Sequence, residues 1–476
     1  MSKDPLPELT LGEDTRIISA SARIKPGRYE LMDLDGRGAL RVEADNVTID
    51  FQGAVLASCD VLAAEREAFE GAGINIEGRK NVTIKNAVVQ GYRHNIRAVD
   101  CENVDLEGCD VSYSRAHRIF QEGAPVEIYL AIRDVRQWRG YGAGIWMENC
   151  RAGVVRRCRG MNSQNGVLLI DSHDCLITEN DFSFNSGWGV GLWESSGNVV
   201  SWNLTDFVNR FWRGWFGGES AGIGMANSCH HNYIVGNSMT HSGAGLNLTN
   251  LNDMGYDMET GSYRMRGSCD DNVIACNDGS WSPTSAFVGT FSRRNVYYRN
   301  FASNSCYGFW LGFSDGSILL ENDIRRNGRT GVAIEHGAGT RMEKNRFEGN
   351  GRVAISLWTS ERESLFEHRS RNIEIRANVI RNSLAAVDLT GSKECYVGEN
   401  KLIGAPMPQG YLNTKEPDET TALERFLASA QYAKLQAILA SRPADFTPYR
   451  ETGGPRGVRC IKMGNYVPRD PRKERA

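Results

Sequence analysis

The sequence lacks the features that mark several common classes of protein. No apolar run approaches the roughly 18 residues that a membrane-spanning helix needs, and the first residues carry no signal-peptide pattern. The net charge of −3 lacks the basic excess typical of nucleic-acid-binding proteins. Twelve cysteines among 476 residues are too sparse for a disulfide scaffold, and their spacing does not match a zinc site. We therefore expect no membrane span, no nucleic-acid partner and no metal or other cofactor, whereas compartment and oligomeric state are not determined.

Proline is also scarce, while glycine is abundant. The chain has 13 Pro but 51 Gly, and Asn is frequent. Gly and Asn are the residues that best tolerate left-handed backbone turns. This composition predicts many tight turns between short strands.

A short motif recurs along most of the chain: a small residue, then alternating apolar and variable positions, then a polar residue. Successive copies are most often 22 or 23 residues apart. The copies read ALRVEAD, GINIEG, NIRAVD, GIWMEN, GVLLID, GVGLWES, GIGMANS, GLNLTN, AFVGTF, GFWLGF, GVAIEH, AISLWT and AVDLTG. A second short strand follows many copies, as in NVTIKN, CLITEN and NYIVGN. Both segments alternate with a period of two, which is the pattern of a β-strand.

This repeat predicts an all-β solenoid, a parallel β-helix of about 13 coils with neighbouring coils ~4.8 Å apart. We expect the β-helix to span residues 25–405, after a lead-in of residues 1–24. We expect residues 406–476 to form a C-terminal capping helix and a tail, with Asp418 as the helix N-cap. One column of apolar side chains should point inward, namely Ile145, Val167, Val190, Ile223 and Leu246.

The GI-x-L and N-x-I-x-x-N repeats resemble right-handed parallel β-helix proteins of the pectate-lyase-like superfamily, especially the repeats of carbohydrate-binding and sugar-hydrolase domains. The resemblance covers residues 25 to 405. It implies the fold and a glycan substrate. It does not select among polysaccharide lyases, polygalacturonase-like hydrolases, uronan epimerases and non-catalytic proteins.

The register predicts which side chains of the repeated strand face outward. The middle coils present glycine and small residues flanked by tryptophan, a surface that suits the apolar faces of sugar rings. An aromatic insertion at 206–220 rises beside it. The predicted substrate-binding residues are Tyr141, Trp146, Trp193, Arg210, Trp212, Arg213, Trp215, Asn247 and Trp310.

Two groups of acidic residues are candidates for catalysis. Glu219 ends the aromatic insertion, and His241 follows one coil later at the same strand entrance. Polygalacturonase-like hydrolases place acids and a histidine in similar positions, although Gly218-Glu219-Ser220 replaces their paired-Asp motif. Glu219 is predicted as general acid, because the surrounding rings would raise its pKa.

The second group is Asp171 and Glu194, which end their strands on neighbouring coils. Their carboxyl groups should lie about 5 Å apart, as in a retaining glycosidase or a calcium site; a polar turn ladder is the alternative. Because a strand separates the two groups by roughly 15 Å, only one group is expected to be catalytic. Glu219 with His241 is favoured, and Asp171 and Glu194 would then contact the substrate or order the turn. The run Asp171-Ser172-His173-Asp174 also resembles the Asp-Pro-His-Asp motif of alginate epimerases, without its proline.

We therefore expect a carbohydrate-active enzyme that cleaves glycosidic bonds, with a glycoside hydrolase favoured. A polysaccharide lyase, which often uses Ca²⁺, or a uronan epimerase is one alternative. A non-catalytic glycan-binding or scaffold protein is the other. The sequence does not specify the sugar, the linkage or the stereochemical outcome.

Overall fold

The computed structural model describes most of the chain. It covers residues 6–59, 64–116, 135–212, 215–216, 220–249, 255–257, 262–264, 267–358, 370–408 and 411–450, with the backbone alone at 211–212, 215–216, 255–257 and 262–264. Short parallel strands dominate this part of the chain, and each strand pairs with its counterpart one coil away. The predicted parallel β-helix is confirmed.

The repeated motif forms a 14-stranded parallel sheet, which we call sheet S1. Its strands are Ile17–Ile18, Leu40–Val42, Ala72–Glu77, His94–Val99, Ala143–Glu148, Asn165–Ile170, Trp188–Trp193, Ala221–Ala226, Ala244–Thr249, Ser285–Gly289, Tyr307–Trp310, Val332–Glu335, Val353–Trp358 and Ala385–Asp388. The thirteen copies found in the sequence correspond to all of these strands except the first, whose two residues are too few to show the motif.

The second strand of each coil belongs to a 15-stranded parallel sheet, sheet S2. Its strands are Glu8–Leu9, Ala22–Ile24, Val47–Asp50, Lys80–Lys85, Glu102–Glu107, Val154–Arg156, Leu176–Thr178, Val199–Ser201, Tyr233–Val235, Val273–Ala275, Val296–Tyr298, Ile318–Leu320, Arg341–Glu343, Arg371–Arg376 and Lys393–Gly398.

A third face closes each coil. It has regular strands near the two ends, at Arg28–Glu30, Val55–Ala57, Val88–Gln90, Phe301–Ser303, Asp323–Arg325, Arg346–Glu348, Val379–Arg381 and Lys401–Ile403. Between them it continues as single-residue bridges such as Asp181 to Leu204. Two antiparallel hairpins lie in insertions, formed by Phe211–Trp212 with Trp215–Phe216 and by Gly255–Asp257 with Ser262–Arg264.

The interior is built from stacked apolar side chains. Ile145 pairs with Val167, which continues through Val190 and Ile223 to Leu246. All five side chains are fully buried in one core. The predicted inward column, and with it the register of sheet S1, is confirmed.

Asparagine fills a buried corner after sheet S2. Each side-chain amide donates a hydrogen bond to the amide oxygen of the next Asn at 2.9–3.1 Å. The ladder consists of Asn180, Asn203, Asn237, Asn277, Asn300, Asn322, Asn345, Asn378 and Asn400. Nearly every buried polar atom of this corner is therefore paired, as a buried turn requires.

The C-terminal helical segment forms two helices, α2 (Ala422–Leu427) and α3 (Ala430–Ala440). Thr421, and not Asp418, is the N-cap of α2, through a capping box with Glu424. Asp418 instead pairs with Arg341 at 3.0 Å.

Both helices pack against the outer side of sheet S2, where Tyr233 and Tyr298 meet Phe426 and Leu435. They lie on the side of the solenoid because the outward positions of sheet S2 are apolar there. Residues 411–415 pair with the last strand of sheet S2. The side chains of Thr414 and Asn413 accept hydrogen bonds from the backbone N–H groups of Cys395 and Val397. Two shorter helices complete the described elements, a 3-10 helix at Arg66–Ala68 and α1 at Val135–Trp138.

Candidate functional site

The predicted outward columns of sheet S1 do face away from the interior, but the middle coils are covered. Trp146 and Trp193 are 0% and 4% exposed, and Asn247 is buried as well. The exposed groove floor predicted from these residues was therefore wrong. Trp146 and Trp193 belong to a second apolar cluster, outside the β-helix interior, whose members include Trp138 and Trp188.

The glycine floor of the middle coils is occupied by a ring of the protein itself. The Trp188 indole lies across Gly191 and Gly224: a Cβ atom added there would come within 2.6 and 2.2 Å of it. Trp138, in α1, packs against Trp188 with ring centroids 5.3 Å apart. Glycine at these positions makes room for Trp188 and leaves none for a sugar ring.

Trp146 and Tyr141 take part in the same covered surface. The Trp146 indole N–H donates to Glu148 Oε2 at 3.2 Å, and its ring stacks on His94 at 4.6 Å. The Tyr141 carbonyl lies 3.1 Å from His94 Nε2. Burial lowers the pKa of His94 to about 3, and Glu148 forms an ion pair with Arg139. These contacts fasten residues 138–141, which precede the strand Ala143–Glu148, to the sheet.

Accessible aromatic rings occur later on the same face. Trp310 and Trp358 are half-buried, with ring centroids 6.0 Å apart. Tyr307 lies 5.0 Å from Trp310, and the Arg329 guanidinium sits over the Tyr307 ring. Of the predicted aromatic residues whose side chains are described, Trp310 and Tyr141 are half-buried, and Tyr141 packs against the covered cluster.

Several predicted residues lie outside the described side chains. They are Glu219, Trp212, Arg213 and Trp215. Arg210, at the base of the same insertion, is half-buried, and its backbone N–H donates to Ser220 Oγ at 3.1 Å. Their proposed roles remain predictions.

His241 belongs to a stack of aromatic rings at the entrance to sheet S1. Its ring lies between Phe207 at 4.7 Å and Trp281 at 5.7 Å, with the edge of Tyr449 at 5.0 Å. Its Nδ1 is 3.1 Å from Thr240 Oγ1. Burial lowers the pKa of His241 to about 4, so the ring is neutral near pH 7.

Asp171 and Glu194 occupy the opposite edge, where the strands of sheet S1 end. Both have left-handed backbones, with φ of 46° and 51°. The preceding residues, Ile170 and Trp193, pair directly, so the two acids are neighbours one coil apart. Asp171 is 58% exposed in its side chain, and Glu194 is half-buried.

The same turn column holds amide-to-carboxylate contacts in the adjoining coils. The Asn149 amide donates to Asp100 at 2.6 Å, and the Asn227 amide donates to Glu194 Oε1. Between them, Asp171 and Glu194 place carboxyl beside carboxyl. Burial, and then the Asp171 charge, raise the pKa of Glu194. The structure thus places Glu194, whose pKa is raised, next to the more exposed Asp171.

A histidine that sequence reasoning did not assign completes this edge. His173 Nε2 lies 3.1 Å from Asp171 Oδ1, while His173 Nδ1 accepts the backbone N–H of Ser196 at 3.1 Å. Asp174, the last residue of the motif-like run, pairs with Arg151 at 3.0 Å. The two-residue spacing of Asp171 and His173 is the sequence signal that could have predicted this contact.

Two family models match the sequence. One is described as periplasmic copper-binding protein (NosD) and matches residues 53–254; the other is described as right handed beta helix region and matches residues 265–414. No curated protein matches the sequence.

Solved structures are similar at low identity. The A-module of a mannuronan C-5 epimerase from Azotobacter vinelandii has a TM-score of 0.51 at 11% identity, over 81% of this chain and 91% of that chain. A mutant of a periplasmic alginate epimerase has a TM-score of 0.45 at 11% identity, over 83% of both chains. An exopolygalacturonase from Thermotoga maritima has a TM-score of 0.37 at 13% identity, over 84% and 86%.

The architecture and these matches together define the class. The chain is a right-handed parallel β-helix protein with the pectate-lyase-like fold. Among the residues that the structure describes, no helix is long and apolar enough to cross a membrane.

Proposed function

We propose that this protein is a carbohydrate-active enzyme that hydrolyses glycosidic bonds of a polysaccharide or oligosaccharide. The observation that carries the proposal is the adjacent carboxyl pair at the end of sheet S1, Asp171 and Glu194. Two like charges one coil apart are unfavourable unless one carboxyl holds a proton. Such a pair destabilises a purely structural turn, whereas glycoside hydrolysis requires two neighbouring carboxyl groups. The low-identity epimerase and polygalacturonase neighbours, whose names refer to sugar polymers, agree with a glycan substrate.

Each carboxyl has a distinct role. Glu194, whose pKa is raised by burial and by Asp171, protonates the oxygen of the leaving sugar. Asp171, the more exposed carboxyl, attacks or stabilises the sugar carbon. Neighbouring coils are about 4.8 Å apart, a separation that matches the ~5–5.5 Å of retaining enzymes. We therefore propose retention of configuration.

The half-buried rings of Trp310 and Trp358 indicate where the glycan continues. Trp310 lies four strands of sheet S1 beyond Trp193, about 19 Å along the axis at ~4.8 Å per strand. Aromatic faces bind the apolar faces of sugars. A chain of several sugars running parallel to the solenoid axis would contact both the acids and these rings.

The sequence predicts the other acid, Glu219, beside His241 at the opposite end of the strands. A strand of about five residues spans roughly 15 Å, too far for one acid–base pair to include carboxyls from both edges. Glu219 and His241 therefore remain a separate proposal for the acid and its partner.

A polysaccharide lyase or uronan epimerase is the second candidate, favoured by the contact between His173 and Asp171. These reactions need a base beside a uronate, and a histidine held by a carboxylate is a suitable base. The negative charge of the acid pair disfavours a uronate at this edge, so we place hydrolysis first.

The name of the matching copper-binding family raises the question of a metal. Within the described ranges, no group of three or more His, Cys, Asp and Glu side chains could hold a metal ion. The described residues thus offer no cluster of the side chains that bind copper, and we propose no metal step.

Product analysis on a panel of neutral and acidic glycans tests the proposal. Hydrolysis predicts new reducing ends without the ultraviolet absorbance of an unsaturated uronate. That absorbance would show a lyase, and a changed uronate composition at constant chain length would show an epimerase. Binding without any product would contradict an enzyme and support a glycan-binding protein.

A further inference from the structure

The surroundings of His173 fix its tautomer. Its Nδ1 accepts the Ser196 N–H at 3.1 Å and therefore carries no proton. The single proton of the neutral ring is then on Nε2, which lies 3.1 Å from Asp171 Oδ1. The ring donates to Asp171, and a carboxylate that accepts a hydrogen bond is favoured in its ionised form.

A second histidine occupies the same position of a later coil. His230 Nδ1 accepts the Asp270 N–H at 3.2 Å, as His173 accepts that of Ser196. No hydrogen bond joins His230 Nε2 to a carboxylate in the described part of the chain. The contact between Nδ1 and the next coil is thus a feature of the turn, whereas the contact with a carboxylate distinguishes His173.

We infer that His173 is a positioning residue that holds Asp171 ionised, so that the proton of the acid pair resides on Glu194. The inference rests on the proposed function and goes further, because it names the side chain that keeps the shared proton on Glu194. The charged groups around the pair agree with it. Arg151 is engaged by Asp174 at 3.0 Å, and the Asn227 amide bonds one oxygen of Glu194, leaving the other oxygen for the proton.

Two substitutions separate the two contacts of His173. Asparagine places its amide oxygen where Nδ1 stands, so His173→Asn keeps the acceptor for Ser196 and loses the donor to Asp171. Glutamine reaches the place of Nε2, so His173→Gln keeps the donor. His230→Asn is the matched control, since it makes the same change where the histidine Nε2 has no hydrogen bond to a carboxylate in the described part of the chain.

The test measures protonation directly and needs no glycan. In wild-type protein, ¹⁵N NMR should show His173 as the Nε2–H tautomer at pH 7. Carboxyl ¹³C NMR should show the titration midpoint of Glu194 falling by about one pH unit in His173→Asn and little in His173→Gln or His230→Asn. An Nδ1–H tautomer, or a Glu194 midpoint that is the same in all variants, would overturn the inference.

Activity then separates this inference from the proposed function. If a glycan is cleaved, His173→Asn should lose activity about tenfold at pH values above the Glu194 midpoint and little below it, and His173→Gln should restore it. A pH-independent loss that His173→Gln does not restore would indicate a merely structural role and overturn the inference. The predicted NMR behaviour without cleavage of any glycan would refute the hydrolase and leave the protonation assignment standing.

Discussion

Gly224→Ala tests whether the floor of sheet S1 is filled by Trp188. The new methyl carbon would lie 2.2 Å from two atoms of the indole ring. Trp188 is fully buried and packed against Trp138, so the ring has no free space to enter. Overpacking of this kind costs about 1–3 kcal/mol, against a gain of about 0.4–1 kcal/mol from stiffening the unfolded chain. We therefore expect the free energy of unfolding to fall by about 1–2 kcal/mol, because the overpacking cost exceeds the gain.

Gly312→Ala is the matched control, because Gly312 lies on the outer face of the same coil stack with its nearest contact, Glu335, 3.8 Å away. This variant should be as stable as wild type or slightly more stable. Urea unfolding followed by tryptophan fluorescence compares the two midpoints, and near-ultraviolet circular dichroism reports the Trp188 environment. Equal midpoints for both variants would refute the packing described for Trp188 and restore an open floor for a ligand.

Three further predictions follow from particular side chains. Burial raises the pKa of Asp206 from 3.8 to about 6. The protonated side chain therefore contributes roughly 3 kcal/mol to the free energy of unfolding below about pH 4, and this contribution is lost as pH rises through 6. Asp206→Asn should remove this pH dependence from urea unfolding midpoints measured between pH 4 and 7. Asn277→Ala leaves ladder partners unsatisfied and should cost about 2–4 kcal/mol in the same assay, more than Asn400→Ala at the half-buried end of the ladder. Trp310→Ala should weaken glycan binding about tenfold in titration calorimetry, with an unchanged unfolding midpoint.

The repeat period was sufficient to predict the register. A coil of 22 or 23 residues aligns each apolar position with its counterpart, and a slip of one residue would turn the whole inward column to solvent. Ile145 to Leu246 therefore could be placed from the sequence. The buried role of the recurring Asn was not predicted beyond turn formation, because the ladder depends on amides aligned in space on successive coils.

The covered state of the outer face could not be predicted. Strand alternation places Val190 inside, but Trp188, two residues earlier, joins the outer cluster because the strand begins there at a corner of the coil. An insertion then adds Trp138 from a distant part of the sequence. Similarly, the helical pattern at 418–441 predicted a helix but not the surface against which it packs. That surface, the apolar outer side of sheet S2, forms only after the coils stack.

At the acid pair, the sequence predicted the neighbours but not their difference. One-coil spacing follows from the period, so Asp171 and Glu194 were expected side by side. Their unequal exposure and the contact of His173 with Asp171 depend on the turn geometry, which brings residues two apart onto one side. The missing information is local backbone conformation, here the left-handed turns at both acids.

The most direct test of the account is turnover of a cleaved glycan by Glu194→Gln and Asp171→Asn, each compared with Asp100→Asn. Asp100 has the same left-handed turn and accepts a hydrogen bond from Asn149, but no second acid adjoins it in its ladder. The account predicts that both pair variants lose turnover by at least about a hundredfold, while glycan binding, folding and the Asp100→Asn variant stay near wild type. Near-wild-type turnover in Glu194→Gln, or an equal loss in Asp100→Asn, would contradict the assignment of the active site to this edge.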